Sequence, residues 1–178
     1  MNFGWELTPT IEPEMLFTLL TEEWEEALAR VPNLLGAHLL RMEDDGERIV
    51  RIDRMVTGTT EALSLTGSSV TRATFDLRTE WADSRREVRW EINMVEPVET
   101  ARCCGQIVLC SAPRGGSRVV VQGELTVSLA AALGRSEWLD DAIAPNIERL
   151  VVRLIKRNAT ALFESVVARR SLQAGDAA

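Results

Sequence analysis

The chain has 178 residues, 46% of them hydrophobic and 26% charged, which is the composition of a globular protein of about one domain. Its formal net charge of −7 excludes a general binder of nucleic acid or anionic membranes, because phosphate recognition requires a basic surface. No apolar run reaches the ~18 residues of a membrane span, and the first residues lack a signal pattern, so we expect a cytoplasmic protein without integral membrane association.

The beginning of the chain predicts one strand followed by two short helices. Asn2–Thr8 alternates apolar and polar residues, which is typical of a strand with Trp5 on its buried face. Thr10 is expected to cap the first helix, Thr21 to begin the second, and Pro32 to end it.

From Gly36 to Leu129 the pattern is that of antiparallel strands, each with one apolar and one polar face. The predicted strands are Ala37–Met42, Arg48–Thr57, Arg72–Trp81, Arg86–Val95, Ala101–Ser111 and Arg118–Leu129. Turns are expected at Asp44–Gly46 and Pro113–Gly116. The segment Gly58–Thr71 reads as a loop with one short strand around Ala62–Leu65.

A long amphipathic helix is predicted over Trp138–Arg170, because its apolar residues recur at steps of three and four. Such a helix needs a long apolar surface to cover it, and the strands supply one. We therefore expect it to lie across the concave face of a curved sheet. Pro145 is expected to kink or restart the helix, since proline removes one backbone hydrogen bond.

This element order resembles that of the START-like or Bet v 1-like (SRPBCC) superfamily, which has the helix-grip fold. The resemblance covers Asn2 to about Arg170 and rests on element order rather than on a fingerprint motif. It implies an α+β fold in which a curved antiparallel sheet of six to seven strands wraps around the C-terminal helix. It also implies one domain over residues 1–171, and we expect Leu172–Ala178 to be a loose tail.

The resemblance further implies a cavity between sheet and helix, commonly holding a lipid, sterol, polyketide or other apolar molecule. The residues predicted to bind such a ligand are Trp5, Arg54, Phe75, Leu77, Trp90, Ile92, Met94, Leu150 and Leu154. Apolar and aromatic side chains with few polar groups are typical of ligand pockets. The alternative, that the same side chains fill a solid core, stays open.

Arg54 is the charged member of this set, and its strand can be read in two registers. If Val50, Ile52 and Val56 are buried, Arg54 also faces inward and would meet a carboxylate or phosphate of the ligand. If Ile49 and Met55 are buried instead, Arg54 faces solvent; this register is favoured because it leaves no unpaired guanidinium inside.

No catalytic, metal or cofactor site is predicted. His38 is the only histidine and is interpreted as a strand residue near a sheet edge, since no G-x-S-x-G motif accompanies it. Cys103 and Cys104 point to opposite faces of one strand, and Cys104 and Cys110 lie ~20 Å apart along it, so they cannot hold one metal ion. All three are expected to be reduced thiols.

Three functions remain open from the sequence. The first is a non-catalytic binder or carrier of an apolar small molecule. The second is an enzyme of the polyketide cyclase or aromatase type, for which the strands offer few proton-transfer groups, namely Thr79 with Arg54 or His38. The third is a protein-interaction module or homodimer that uses an apolar surface near Val31–Leu40 or a helix face.

Overall fold

The computed structural model describes residues 1–58, 72–96, 101–127 and 137–175. The helices are α1 (Pro13–Glu22), α2 (Trp24–Leu28) and α3 (Glu137–Gly175). The strands are β1 (Asn2–Leu7), β2 (Leu34–Asp44), β3 (Arg48–Gly58), β4 (Arg72–Ala82), β5 (Glu87–Glu96), β6 (Ala101–Ser111) and β7 (Ser117–Val127). A 3-10 turn at Asp83–Arg85 joins β4 to β5.

The seven strands form one antiparallel sheet in the order β1-β7-β6-β5-β4-β3-β2. Strands that are neighbours in the sheet are consecutive in the chain, except that β1 pairs with β7. The β2–β3 hairpin turns at Gly46, whose φ of 82° favours glycine, and Gly115 and Gly116 do the same between β6 and β7. Both predicted turns are therefore confirmed.

The sheet has an apolar inner face and a polar outer face. Alternate residues of β4 and β5 are buried, including Leu77, Trp81 and Trp90, as their sequence pattern predicted. The outer face carries cross-strand pairs of arginine and carboxylate such as Arg102–Glu91 and Arg118–Glu6. A sheet with one wet face needs cover on one side only.

All three helices lie on the inner face. Leu162, Phe163 and Val166 of α3 join the core formed by the strands and by α1 and α2. Arg169 forms ion pairs with Glu23 and Glu26, which fasten the C-terminal part of α3 to the α1–α2 junction. This arrangement of a curved antiparallel sheet around a long helix is the predicted helix-grip architecture.

Several local predictions are wrong. Pro145 does not restart α3, which stays helical through it, and the expected kink stays a prediction. α1 begins at Pro13 after Glu12, so Thr10 is not its cap. Thr21 belongs to α1, where its hydroxyl donates to the carbonyl of Phe17 at 3.0 Å, and α2 begins at Trp24.

Two further expectations concern residues that lie partly or wholly outside the described chain. α3 continues to Gly175, beyond the expected end at Arg170, and residues 176–178 of the expected tail lie outside the described residues. The strand predicted around Ala62–Leu65 also lies outside them. No helix in the described ranges combines the length and apolar character needed to cross a bilayer.

Candidate functional site

A cavity of about 290 Å³ lies between the inner face of the sheet and α3. The sheet contributes Trp5, Leu34, Met55, Thr57, Ala73, Phe75, Leu77, Thr79, Trp81, Val88, Trp90, Ile92, Met94, Cys103, Ile107, Val121 and Leu125. The helices and their connections contribute Leu20, Trp24, Leu28, Val31, Asn33, Val151, Leu154, Ile155, Asn158, Ala159, Leu162 and Phe163. None of these lining side chains carries a formal charge.

Strands β4 and β5 form the central wall of this cavity. Leu77 lies directly opposite Ile92, and Phe75 lies opposite Met94. Directly opposed residues of an antiparallel pair share a face, so each pair presents a continuous apolar strip toward α3. Leu154 and neighbouring residues of α3 line the cavity from the other side.

Four tryptophans also line the wall: Trp5, Trp24, Trp81 and Trp90. Trp24 of α2 packs edge-on against Trp81 of β4 with ring centroids 5.1 Å apart. At the β1 end, Phe3 stacks on Trp5 at 5.7 Å and lies 6.3 Å from Trp90. These contacts fix the rings that line the cavity, because aromatic pairs at such distances are favourable beyond the area they bury.

The polar groups of the wall are few and neutral. The Thr79 hydroxyl accepts a hydrogen bond from Trp81 Nε1 at 2.9 Å. Trp5 Nε1, Trp90 Nε1 and Asn158 Oδ1 are buried without a hydrogen-bond partner among the described residues. A buried polar atom without a protein partner is costly unless a water or another bound group satisfies it.

Cys103 is the titratable side chain of the wall. Burial raises the pKa of its thiol from the usual 9.0 to about 12. At neutral pH the group is therefore an uncharged thiol with little nucleophilic character. It contributes a small, apolar surface to the cavity.

Seven of the nine residues predicted to bind a ligand line the cavity: Trp5, Phe75, Leu77, Trp90, Ile92, Met94 and Leu154. Leu150, which is half-buried on α3, does not. Their role in binding stays a prediction.

Arg54 lies on the outer face. Its Nε and Nη2 donate to the Asp76 carboxylate at 2.9 and 3.0 Å, and its side chain is 42% exposed. Arg54 therefore does not face the cavity, and the prediction that it meets an acid group of the ligand is wrong. The favoured register, in which Arg54 faces solvent, is the observed one. His38 lies on the edge strand β2, as its interpretation predicted, and it is exposed and lies opposite Arg54.

The same register buries two charged residues that the sequence analysis did not single out. Arg51 and Asp53 face inward on β3, and Asp53 is only 1% exposed. Arg51 Nε lies 2.7 Å from Asp53 Oδ2, Trp24 Nε1 donates to the same oxygen at 3.0 Å, and Arg51 Nη2 donates to Glu25 at 2.9 Å. The network ties α2 to β3 beside the cavity.

The three cysteines are free, with Cys103 facing the cavity and Cys104 and Cys110 less buried. Among the described residues no group of three or more histidine, cysteine, aspartate or glutamate side chains is arranged to hold a metal ion.

No sequence profile of a protein family matches this chain, and no curated protein matches it in sequence. Solved structures do resemble it. TTHA0849 from Thermus thermophilus is 15% identical with a TM-score of 0.67, covering 95% of this chain and 99% of its own. The ZhuI aromatase/cyclase from Streptomyces sp. R1128 is 11% identical with a TM-score of 0.65, covering 95% and 92%. Ara h 8.0201, a Bet v 1-type allergen, is 12% identical with a TM-score of 0.64, covering 94% and 98%.

Proposed function

The chain has the Bet v 1-like helix-grip fold, and we propose that it binds or carries an apolar small molecule in the cavity between the sheet and α3. The observation that carries this proposal is the cavity itself. A well-packed core contains few voids larger than a water molecule, whereas this one has about 290 Å³ of space walled by apolar side chains. Leu77, Trp90 and Leu154, already predicted from the sequence, are the residues we expect to contact the ligand.

The size and lining suit a compact ligand. Pockets for small molecules usually measure ~300–1,000 Å³. At about 290 Å³ this cavity lies near the lower end of that range, which suits a compact ligand such as a few fused rings or a short polyketide.

Native mass spectrometry of the gently purified protein, with thermal shift against a library of apolar compounds, tests the proposal. A retained small molecule, or a rise in Tm with compact aromatic compounds, is the expected result. A clean mass of the bare chain together with no shift in Tm across the library would contradict binding.

A catalytic role of the aromatase or cyclase type receives less support. Acid–base catalysis needs a group that gains or loses a proton near neutral pH. Within the described wall the candidates are the Thr79 hydroxyl, which already accepts from Trp81, and the Cys103 thiol, whose pKa of about 12 keeps it protonated. His38 and Arg54 lie on the other side of the sheet.

Self-association is a second candidate function, favoured by one specific surface. Strand β2 forms an edge of the sheet, and its Leu35, Leu39, Leu40 and Met42 are 45–59% exposed. Edge strands with exposed apolar residues are natural pairing sites, and a second copy of β2 is the partner we propose. Light scattering of the wild type and of Leu39→Lys tests this, with a dimer lost in the variant as the expected result and a wild-type monomer as the contrary one.

The cytoplasm stays the predicted location. Three free cysteines suit a reducing compartment.

A further inference from the structure

The charge of the cavity wall limits which ligands it accepts. Every described lining residue is apolar or neutral, and the one titratable member, Cys103, is an uncharged thiol below about pH 12. An ion that enters such a site loses its hydration and gains no opposite charge, which is strongly unfavourable.

The interior does contain one arginine, but it is not free to meet an anion. Arg51 is the only basic side chain that is buried in the described ranges. Its Nε and Nη2 are both bonded to Asp53 at 2.7–3.0 Å, and Nη2 also reaches Glu25 at 2.9 Å. The charge of Arg51 is thereby neutralised by two carboxylates, and neither Arg51 nor Asp53 lines the cavity.

The uncommitted polar atoms of the lining residues are neutral as well. Trp5 and Trp90 each contribute an indole N–H, and Asn158 contributes an amide oxygen, all without partners in the described chain. These atoms are buried and neutral, so they do not balance a full charge as an arginine does.

The aromatic rings indicate the shape of the ligand. Trp5, Trp24, Trp81 and Trp90 line the cavity together with Phe75 and Phe163. Aromatic side chains favour offset or edge-to-face contacts with a further ring, so the aromatic part of this wall suits a ligand that itself contains rings.

We propose that this cavity selects uncharged aromatic molecules and rejects anions of the same size and shape. The inference rests on the proposed function, since it concerns the same cavity, and it names the class of ligand. Fatty-acid anions, sulfonates and phosphorylated compounds are excluded, whereas fused-ring ketones and phenols in their neutral form are accepted.

A matched pair of fluorescent probes tests the proposal. N-phenylnaphthylamine is neutral, and anilinonaphthalene sulfonate has the same rings with one added sulfonate that stays ionised across the accessible pH range. Binding is followed by energy transfer from the cavity tryptophans. The neutral probe is expected to bind at least about a hundredfold more tightly than the sulfonate, because the sulfonate must be desolvated without a partner.

The net charge of −7 would also repel an anion from a distance, so the comparison is repeated at high salt. Long-range repulsion is screened by salt, whereas the cost of burying the sulfonate is not. A preference that persists at high salt supports the proposal, and one that disappears overturns it.

A variant pair adds a positive test. Asn158 lines the cavity and is half-buried, so Asn158→Arg would place a cation at the wall, whereas Asn158→Gln keeps it neutral. We expect Asn158→Arg to improve sulfonate binding about tenfold and Asn158→Gln to keep the wild-type preference. If Asn158→Arg does not fold, the affinities of the wild type for the two probes still test the proposal.

The outcomes separate the two proposals. Equal affinity of the wild type for both probes would overturn charge selection and leave binding of apolar molecules intact. Binding of neither probe would overturn the proposed function, and the selectivity with it.

Discussion

Gly105 of β6 lies directly opposite Gly123 of β7, and the Trp90 and Phe3 rings flank this pair from the neighbouring strands. A Cβ atom on Gly105 would lie 2.1 Å from the Gln122 carbonyl oxygen and 2.8 Å from Trp90 Cζ2. One on Gly123 would lie 2.6 Å from Phe3 Cζ. The two glycines therefore leave the space in which the aromatic rings at this end of the cavity sit.

Gly105→Ala is expected to destabilise the protein by at least about 2 kcal/mol, because the added methyl meets backbone that cannot move aside. Gly36→Ala is the matched control, since a Cβ there meets nothing within 4 Å. Its effect should stay within about 0.5 kcal/mol. Urea unfolding of both variants gives the comparison, and equal stability of the two would contradict this account of the glycine pair.

Breaking the buried Arg51–Asp53 pair should reduce the free energy of unfolding far more than breaking the half-exposed Arg54–Asp76 pair. Asp53→Ala leaves a buried guanidinium with Glu25 as its remaining partner, and we expect a loss of about 3–5 kcal/mol. Asp76→Ala breaks a fork of the same chemistry on the outer face, where Arg54 is 42% exposed, and should cost about 0–1 kcal/mol. Similar free energies of unfolding for the two variants would show that the Asp53 network does not stabilise the fold.

Cys103 predicts a specific dependence of stability on pH. Its folded pKa of about 12 exceeds the usual 9.0 because the thiolate would be desolvated. Between those values the unfolded chain releases the proton and the folded chain keeps it, so stability falls as pH rises above 9 and is unaffected by this group below it.

Urea midpoints measured from about pH 8 to about pH 11 should decline in the wild type, and Cys103→Ala should remove part of that decline. Cys104→Ala, on the opposite face of the same strand, should leave it in place. The chain contains no tyrosine and one lysine, Lys156, so few other groups titrate in this range. An identical decline in wild type and Cys103→Ala would refute the assignment.

Arg54 lies outside the cavity, so Arg54→Met should leave the affinity for any cavity ligand unchanged. The substitution removes only a half-exposed ion pair with Asp76. Calorimetric titration with a neutral aromatic compound measures the effect. A loss of affinity of tenfold or more would mean that Arg54 meets the ligand in a conformation different from this one.

The element order and most of the cavity wall could be predicted because apolar and polar residues alternate along most of β4 and β5. In such strands burial follows from local sequence, and Leu77, Trp90 and Ile92 were placed correctly for that reason. The single apolar face of the sheet then required cover, which the stripe of α3 supplies.

The Arg51–Asp53 network could not be predicted from the local pattern of β3. Val50 and Ile52 look like core residues, yet it is the neighbouring charged pair that is buried. What makes this burial tolerable is the contact with Trp24 and Glu25, which lie 29 and 26 residues earlier in the chain. A charged residue between apolar neighbours in a strand either faces solvent or is buried against a partner. Only the tertiary structure shows which of the two applies.

Pro145 shows a different limit. A proline inside a helix removes one hydrogen bond, but α3 is long and anchored through Phe163, Val166 and Arg169, so its packing outweighs the local defect. The restart that the proline alone predicts is therefore not observed, and the kink stays a prediction.

The central claim, that a ligand enters the space under α3, is tested most directly by filling that space. Ala159 lines the cavity, and Arg153 lies on the exposed side of the same helix. Calorimetric titration of N-phenylnaphthylamine into the wild type, Ala159→Phe and Arg153→Phe should show binding to the wild type and Arg153→Phe and none to a folded Ala159→Phe. Undiminished binding to Ala159→Phe would place the ligand elsewhere and contradict the account.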